Sequence, residues 1–528
     1  MKQIKLEKLR ALRALKARAE DGRLAEARRR RESNRGRWPS PLDMACDLDP
    51  LRVGPDGERA GMVRTPALEL VNAGLVALAD GGESRFAGFM PPQEGKSTLT
   101  SYWFPLWWLT CVNPETRVLI TSYSDEMARR WGGEIKNALE RWSGDEGTVD
   151  LGLRLRKDSR AAGRWNIAGH RGSIYCAGVN GSITGKPGDL ILVDDPLRNM
   201  ADAQSEKIRE KTMSAYQSVL VPRMAPNARV AWIQTLWHED EPILRILANE
   251  GERKDGGRWH VVRIPAVAET DDDVLGRKAG EGMVSARGQR DWQAVRKSVG
   301  EYVFSALYQQ RPSPAEGNLF KRLWWRYWSP DPTGARLVLG QQTFALADCW
   351  RFATVDLAAS TRTSADWTVF SAWARTITGD LVLLDRVRAR IGEADHFAHA
   401  RPLVERWRLD TVFVEASQHG MTLVREASNA GVPITPLQAD TDKLSRALPA
   451  SAWCSNGRVW LPAGVWWAKD WVNEHAAFPN GSHDDQVDTL AYAVRVAVTK
   501  PAPQRSGPAR PQVDAWAASD IDLATVPL

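Results

Sequence analysis

Six short apolar runs, each stopped by a polar or turn residue and parted from the next by a helix-length stretch, constrain this chain most. They are Arg85–Met90, Val118–Ser122, Ile174–Gly178, Leu190–Val193, Val230–Gln234 and Val261–Pro265. Strands that alternate with helices in this way form a mostly parallel sheet covered by helices. The 528 residues suffice for two or three such cores. The expected organisation is a basic helical arm over 1–40, a first α/β domain over 41–311 and a Pro- and Gly-rich linker over 312–350. A second α/β domain over 351–499 and a disordered tail over 500–528 follow. In the second domain, strands are expected at Arg351–Leu357, Trp367–Arg375, Leu381–Val387 and Thr411–Val414, with a final helix after Ser482.

Charge is unevenly placed. The net charge is +6, yet residues 1–37 hold fourteen Lys/Arg against five Asp/Glu, so the remaining 491 residues carry −3. The basic excess is an arm rather than a basic surface over the whole body. Leu6, Leu9, Leu12 and Leu15 recur in that arm at helical spacing. It is either a solvated helix or a segment that touches nucleic acid or a partner. Five scattered cysteines without a CxxC pair exclude a disulfide frame and a zinc knuckle, and fit a reducing compartment. The N-terminus lacks a signal peptide's apolar core. The uncharged stretch 97–114 contains Pro105 and several Ser/Thr, and reads as a buried helix rather than a membrane span. A cytoplasmic protein is expected. Most of the 24 tryptophans are expected as core, with a few available to stack on bases.

The first apolar run leads into Pro91-Pro92-Gln93-Glu94-Gly95-Lys96-Ser97-Thr98, the strand–loop–helix context of a phosphate-binding loop. Gly95 would let the backbone approach phosphate, Lys96 would bridge the β- and γ-phosphates, and Ser97 would hold Mg²⁺. Gln93, Glu94 and Thr98 complete the expected nucleotide contacts, although Met90 stands where such loops carry their first glycine. About 100 residues on, Leu190-Ile191-Leu192-Val193 ends in Asp194-Asp195-Pro196. Asp194 at the strand tip suits a Mg²⁺ ligand and Asp195 the base that polarises water, with Glu206 a rival. A third strand ends in Gln234-Thr235, where Thr235 could sense the γ-phosphate.

The second domain carries carboxylates at strand and helix ends: Asp356 after RFATV, Asp366 ten residues on, Glu415 after TVFV, and Asp484 and Asp485 at the head of the last helix. Acids gathered in this way can clamp two Mg²⁺ or Mn²⁺ ions for phosphodiester hydrolysis. Asp356, Asp366, Glu415, Asp484 and Asp485 are the candidate ligands, and Asp488 can face either the site or solvent.

Together PPQEGKST, LILVDDP, IQTLWHEDE, RFATVDLAAS with SADWT, VFVEAS and FPNGSHDDQVDTLAYA resemble, over roughly residues 62–498, the large terminase subunits of tailed bacteriophages and prophages. The resemblance implies a RecA-like (ASCE P-loop) ATPase domain followed by an RNase H-like (RuvC-like) nuclease domain. ATP is the implied nucleotide, and Mg²⁺ or Mn²⁺ the nuclease metal. The implied partners are double-stranded viral DNA, a small terminase subunit and the portal of the prohead, on which a homo-oligomeric ring would dock, with no membrane. The implied location is the bacterial host cytoplasm, transiently the prohead but not the mature virion. Many relatives place an arginine in the phosphate loop, which here has Gln93 and Glu94; Arg85, Arg129 and Arg130 are candidate substitutes, and the identity of the arginine is left open. The rival readings are a repair or recombination helicase/translocase with a silent nuclease domain, a transposase-like recombinase, and a non-enzymatic capsid- or portal-binding protein.

Overall fold

A computed structural model of the chain describes residues 26, 28–53, 59–145, 148–158, 161–181, 185, 187–313, 319–358, 367–438 and 442–500. These fall into two compact units. One comprises the residues up to Trp292 with Ser305–Pro312, the other Gln293–Phe304 with the residues from Ser313 onward. The expected arm over 1–40 is helical at residues 28–37, and its leucines lie outside the described residues, as does the expected tail beyond residue 500. Among the described residues no helix is long and apolar enough to cross a membrane. Residues 98–112 are instead a helix with π-type turns at both ends, and Leu99, Trp103, Phe104, Leu106, Trp107 and Leu109 are buried in it.

The first unit is built on a seven-stranded sheet of β1 (Arg85–Phe89), β2 (Arg117–Ser122), β3 (Arg164–Asn166), β4 (Ser173–Gly178), β5 (Gly188–Asp194), β6 (Met224–Gln234) and β7 (His260–Arg263). The strand order is β3-β4-β2-β5-β6-β1-β7, parallel throughout except where β3 meets β4. All five β1 residues are buried, as a parallel strand covered on both faces requires. The register pairs Phe89 with Gln234, Ile233 with Asp194, and Asp194 with Ser122. Four strands therefore end level, and the loops leaving them share one carboxyl edge, where open α/β sheets bind ligands. One strand, β6, separates the phosphate-loop strand β1 from the acid-tipped strand β5, which is the ASCE P-loop arrangement. Helix α1 (Pro66–Ala79) crosses β1 closely: a Cβ on Gly74 would lie 2.1 Å from the Phe86 ring.

The second unit has a nine-stranded sheet: β8 (Arg326–Pro330), β9 (Arg336–Leu339), β10 (Gln342–Ala345), β11 (Trp350–Asp356), β12 (Thr368–Arg375), β13 (Leu381–Ala389), β14 (Thr411–Glu415), β15 (Ile434–Leu437) and β16 (Val459–Pro462). Its order is β10-β9-β8-β16-β13-β12-β11-β14-β15. Of the five strands β13-β12-β11-β14-β15, the first three form an antiparallel meander and the last two add to it in parallel, the RNase H topology. Residues 312–350, expected to be a linker, instead supply β8, β9 and β10. Among the described residues Pro330 ends β8 and Pro332, Gly334 and Gly340 lie in the turns between strands, while Trp328, Leu337, Leu339 and Leu346 are buried in the core. Strands β15 and β16 were also not anticipated; Pro436 is tolerated in β15 because that strand is at the sheet edge.

Helix α2 (Asp125–Arg141) follows β2. In the second unit, α3 (Gln418–Asn429) follows β14, and α4 (Lys443–Ser455) and α5 (Asp485–Thr499) flank the end of the sheet. The last of these is tied to the sheet by a buried hydroxyl chain. The Thr354 hydroxyl donates to Thr489 O (2.7 Å) and accepts from Trp373 Nε1 (2.9 Å), and Ser371 and Thr489 share a hydrogen bond of 2.9 Å.

Candidate active sites

The loop after β1 turns through positive φ at Gln93 (65°) and Gly95 (87°), and the helix starting at Thr98 brings its N-terminal N–H groups to the loop. Lys96 is buried, with Nζ 3.7 Å from Asp195 Oδ2. Asp194 is buried at the tip of β5 and accepts a hydrogen bond from Trp131 Nε1 on α2 (2.9 Å). Burial, and secondly the Asp195 charge, push its carboxyl up to about 7, while the Ser97, Ser101 and Lys96 side chains pull the other way. Asp194 Oδ1 is enclosed with no donor in bonding geometry among the described residues. A buried carboxylate beside another acid and a serine hydroxyl is a donor set that fits Mg²⁺.

Asp195 adopts φ 41° and accepts from the Thr235 N–H at 3.0 Å, while the Thr235 hydroxyl donates to Met90 O at 3.3 Å. Thr235 therefore touches both the acid and the residue that opens the phosphate loop. The turn after it is closed by Glu241, which sequence reasoning missed. This buried carboxylate accepts from the N–H groups of Trp237 (2.6 Å) and His238 (2.9 Å) and from the Gln234 amide. Burial pushes its carboxyl up to about 7, against those bonds.

The structure thus gathers Gly95, Lys96, Ser97, Asp194, Asp195 and Thr235 at one edge, with Thr98 opening the helix. Glu94, expected among the nucleotide contacts, is buried and accepts from Ser285, Ala286 and Arg290. Gln93 is exposed and accepts from Arg287. Glu206 is exposed in the first turn of its helix. Arg85 lies at the opposite end of β1, donating to Ala228 O at 3.3 Å. Arg129 and Arg130 are exposed on α2 and paired with Asp125 and Glu134.

In the second unit Asp356 and Glu415 end the neighbouring parallel strands β11 and β14. A Cβ on Gly420 of α3 would lie 1.9 Å from Glu415 O, so only glycine allows the helix this close to the carboxylate strand. The first turn of α5 brings in Asp485 and Asp488, both buried. Burial, then the charges of Asp488 and Asp485, raise the Asp356 carboxyl well above the ordinary range; Lys443 opposes this and Glu415 adds to it. Asp488 is also raised, by burial, against Arg446 and Lys443. Tyr492 donates its hydroxyl to Glu415 Oε2. Asp484 is the outer member of the set, 2.7 Å from Lys443 Nζ, and Asp366 lies outside the described residues.

Two cations from α4 enter this cluster. Lys443 reaches Asp484 and also Asp488 (3.5 Å), and Arg446 lies 2.9 Å from Asp488 and 4.0 Å from Glu415. Burial disfavours the Lys443 charge, but Asp484, Asp488 and Asp356 outweigh it and raise its pKa. Among the described residues no three acids stand at metal-ligand spacing. The carboxylates nonetheless fit a hard divalent cation, since hard oxygen donors that raise one another's pKa need positive charge among them. Asp488, which the sequence left open between site and solvent, faces the site, whereas Lys443 and Arg446 were not singled out. The spacing Asp484, Asp485, Asp488 does put three acids in one helical turn, whereas nothing in DKLSRAL marks its cations as site residues.

A P-loop ATPase fold in one unit and an RNase H-like fold in the other, each with acids at its carboxyl edge, define a two-domain class of ATPase–nuclease architecture. Two family models match the chain: "Terminase large subunit, T4likevirus-type, N-terminal" over residues 89–326 and "Terminase RNaseH-like domain" over 353–495. The chain belongs to the terminase large-subunit family. No curated protein matches the sequence at a significant level. Among solved structures, a large terminase from a thermophilic bacteriophage is 11% identical, covering 83% of this chain and 100% of its own, with TM-score 0.47. The large terminase of bacteriophage HK97 is 13% identical over 76% of this chain and 86% of its own, TM-score 0.32. The large terminase nuclease of thermophilic phage G20c, solved with magnesium, is 20% identical over 34% of this chain and 98% of its own, TM-score 0.26.

Proposed function

We propose that this chain hydrolyses ATP to drive double-stranded viral DNA into a prohead, and cuts concatemeric DNA when packaging starts and ends. The reading is carried by one observation: a single chain holds Asp194 and Asp195 against Lys96 in one unit and Asp356 against Asp485, Asp488 and Glu415 in the other.

In the first unit, Lys96 and the N-terminal N–H groups of the helix bind phosphate, and Ser97 and Asp194 hold Mg²⁺. Asp195 orients the attacking water and accepts its proton. Loss of the γ-phosphate frees Lys96 to return to Asp195, and the Thr235 N–H on the other Asp195 oxygen conveys that change to the 234–241 turn.

In the second unit, Asp356, Glu415, Asp485 and Asp488 are the ligands for Mg²⁺, with Mn²⁺ able to substitute and Asp484 and Asp366 as outer candidates. The metal, when bound, supplies activation of water and stabilisation of the leaving oxygen. Tyr492 fixes the Glu415 carboxylate, and Lys443 and Arg446 limit repulsion among the acids. DNA is held mainly through its phosphates, so binding is salt-sensitive and largely independent of sequence. The proposed partners are a small terminase subunit and the portal, on which the chain forms a ring, in the host cytoplasm and not in the mature virion.

The test is plasmid DNA incubated with the full chain and Mg²⁺ or Mn²⁺, beside Asp356→Asn, and ATP turnover beside Lys96→Ala. Cutting by the wild type that the first variant abolishes, and hydrolysis that the second abolishes, are the expected outcomes. Equal cutting by wild type and Asp356→Asn would refute the nuclease assignment.

A further inference from the structure

The phosphate loop is gripped from outside by the segment Ser285–Arg290. Glu94, only 1% exposed, accepts three hydrogen bonds from that segment: from Ser285 Oγ (3.0 Å), the Ala286 N–H (2.8 Å) and Arg290 Nη1 (2.6 Å). Arg290 also reaches Pro92 O at 3.5 Å. A charged carboxylate buried this deeply persists only where donors compensate it, so the segment and the loop are tied together. The segment is itself ordered. The Arg287 N–H donates to Ser285 Oγ (3.1 Å), Gly288 turns at φ 97°, and the Arg290 guanidinium stacks 4.7 Å from the Trp292 ring centroid.

This clip leaves one cation over the loop. Arg290 is committed to Glu94. Arg287 is exposed and forms no ion pair among the described residues; its Nη1 instead donates to the side-chain oxygen of Gln93. Gln93 is the exposed residue at the positive-φ turn, three positions before Lys96. A neutral amide is a weak partner for a guanidinium, whereas a terminal phosphate oxygen is a strong, bidentate one. Lys96 is meanwhile the sole cation found within the loop, and Arg85, Arg129 and Arg130 are engaged elsewhere.

We propose that Arg287 is the arginine this ATPase supplies, from the same chain, to the γ-phosphate of its own nucleotide, with Glu94 and Arg290 as the clip that positions it. The inference rests on the reading of residues 90–98 as an ATP-binding loop. In hydrolysis the bond from the γ-phosphorus to the ADP oxygen breaks, one from water forms, and the water proton leaves through Asp195. Arg287 stays protonated throughout, exchanging Gln93 for the γ-phosphoryl oxygens on which charge develops.

The test compares the full chain with Arg287→Ala and Arg287→Lys, measuring ADP and ATP-γ-S binding by calorimetry and phosphate release from Mg·ATP. For Arg287→Ala, ADP affinity is expected to stay within about twofold and ATP-γ-S affinity to fall about tenfold, while turnover falls about 10³-fold. Arg287→Lys should recover only part of the loss, because a lysine cannot reproduce the planar fork. Unchanged ATP-γ-S affinity with turnover within about threefold of wild type overturns the proposal. An equal loss of ADP and ATP-γ-S affinity also overturns it, since that is the signature of a damaged loop. A wild-type chain that binds neither nucleotide overturns the ATP reading itself, and the Arg287 inference with it.

Discussion

Replacing Asp194 by Asn should make the nucleotide-free chain more stable, although it removes the proposed Mg²⁺ ligand. Asp194 is buried beside Asp195, and its carboxyl is pushed from 3.8 to about 7. A carboxylate raised in the folded state costs nothing below its unfolded pKa. The cost grows as pH rises between the two values and is complete above the folded one. Three pKa units correspond to about 4 kcal/mol at pH 8.5 and roughly half that at pH 5.5. Asn keeps the carbonyl that accepts from Trp131 Nε1, and its new amide faces the Ser97 and Ser101 hydroxyls that act on Asp194. Allowing for imperfect geometry, a net gain of about 2 kcal/mol at pH 8.5 is expected, some 4–8 °C in Tm for a domain this size. Thermal unfolding followed by circular dichroism at both pH values measures it. Adding Mg·ADP should reverse the order, since the metal neutralises the wild-type carboxylate and finds less to neutralise in the variant. A variant no more stable than wild type at pH 8.5, or a gain as large at pH 5.5, would refute the electrostatic account.

Three other perturbations probe the supports of the two sites. Thr354→Val deprives the Trp373 indole N–H of its acceptor and Thr489 O of a donor, so chemical denaturation should show a loss of about 2–3 kcal/mol. Because this chain seats α5, Mn²⁺-dependent cutting should fall with it. Glu94→Ala removes the acceptor of three bonds and leaves Arg290 unpaired; trypsin should then cleave after Arg287 and Arg290 faster than in wild type, as a locally opened segment requires. Lys443→Ala removes a cation held 2.7 Å from Asp484, and Mg²⁺ binding followed by calorimetry should tighten about tenfold. Unchanged affinity would mean that Lys443 and the metal do not compete.

What was legible in the sequence is what a strand states locally. LILVDDP is an apolar run that must be buried, and its acids can only stand where the strand emerges, so β5 and the position of Asp194 follow from the string itself. The same holds for RFATVD, TVFVE and the acid-headed helix at 485. What was not legible depends on tertiary packing. The segment at 326–345 carries its buried residues (Trp328, Leu337, Leu339) among prolines and glycines and has no alternation long enough to outweigh them, so three strands read as a linker. Glu94 lies within a nucleotide motif, and only the arrival of Ser285 and Arg290 from about 190 residues away reveals that its carboxylate is held by that segment. Lys443 and Arg446 gain their meaning from α5, which is far along the chain.

The two sites set the same electrostatic problem and meet it with different amounts of protein charge. At the first, Asp194 and Asp195 face a single lysine, so the nucleotide's Mg²⁺ supplies most of the missing charge and the site is poised to respond to nucleotide. At the second, Arg386 and Arg388 offset Asp470 and Glu474 beside Asp485, while Asp356, Glu415, Asp485 and Asp488 amount to four negative charges and Lys443 and Arg446 return two. The remaining two are matched by one divalent cation. A second such ion would add two charges too many, which are cancelled only if Lys443 withdraws and thereby releases Asp484 to the set. Metal stoichiometry therefore reports on α4: calorimetric titration of the nucleotide-free chain should give one Mg²⁺ at this cluster in wild type and admit a second there in Lys443→Ala. Two ions in both would show that α4 carries no weight in the charge balance, and that the cluster draws its extra ligands from elsewhere.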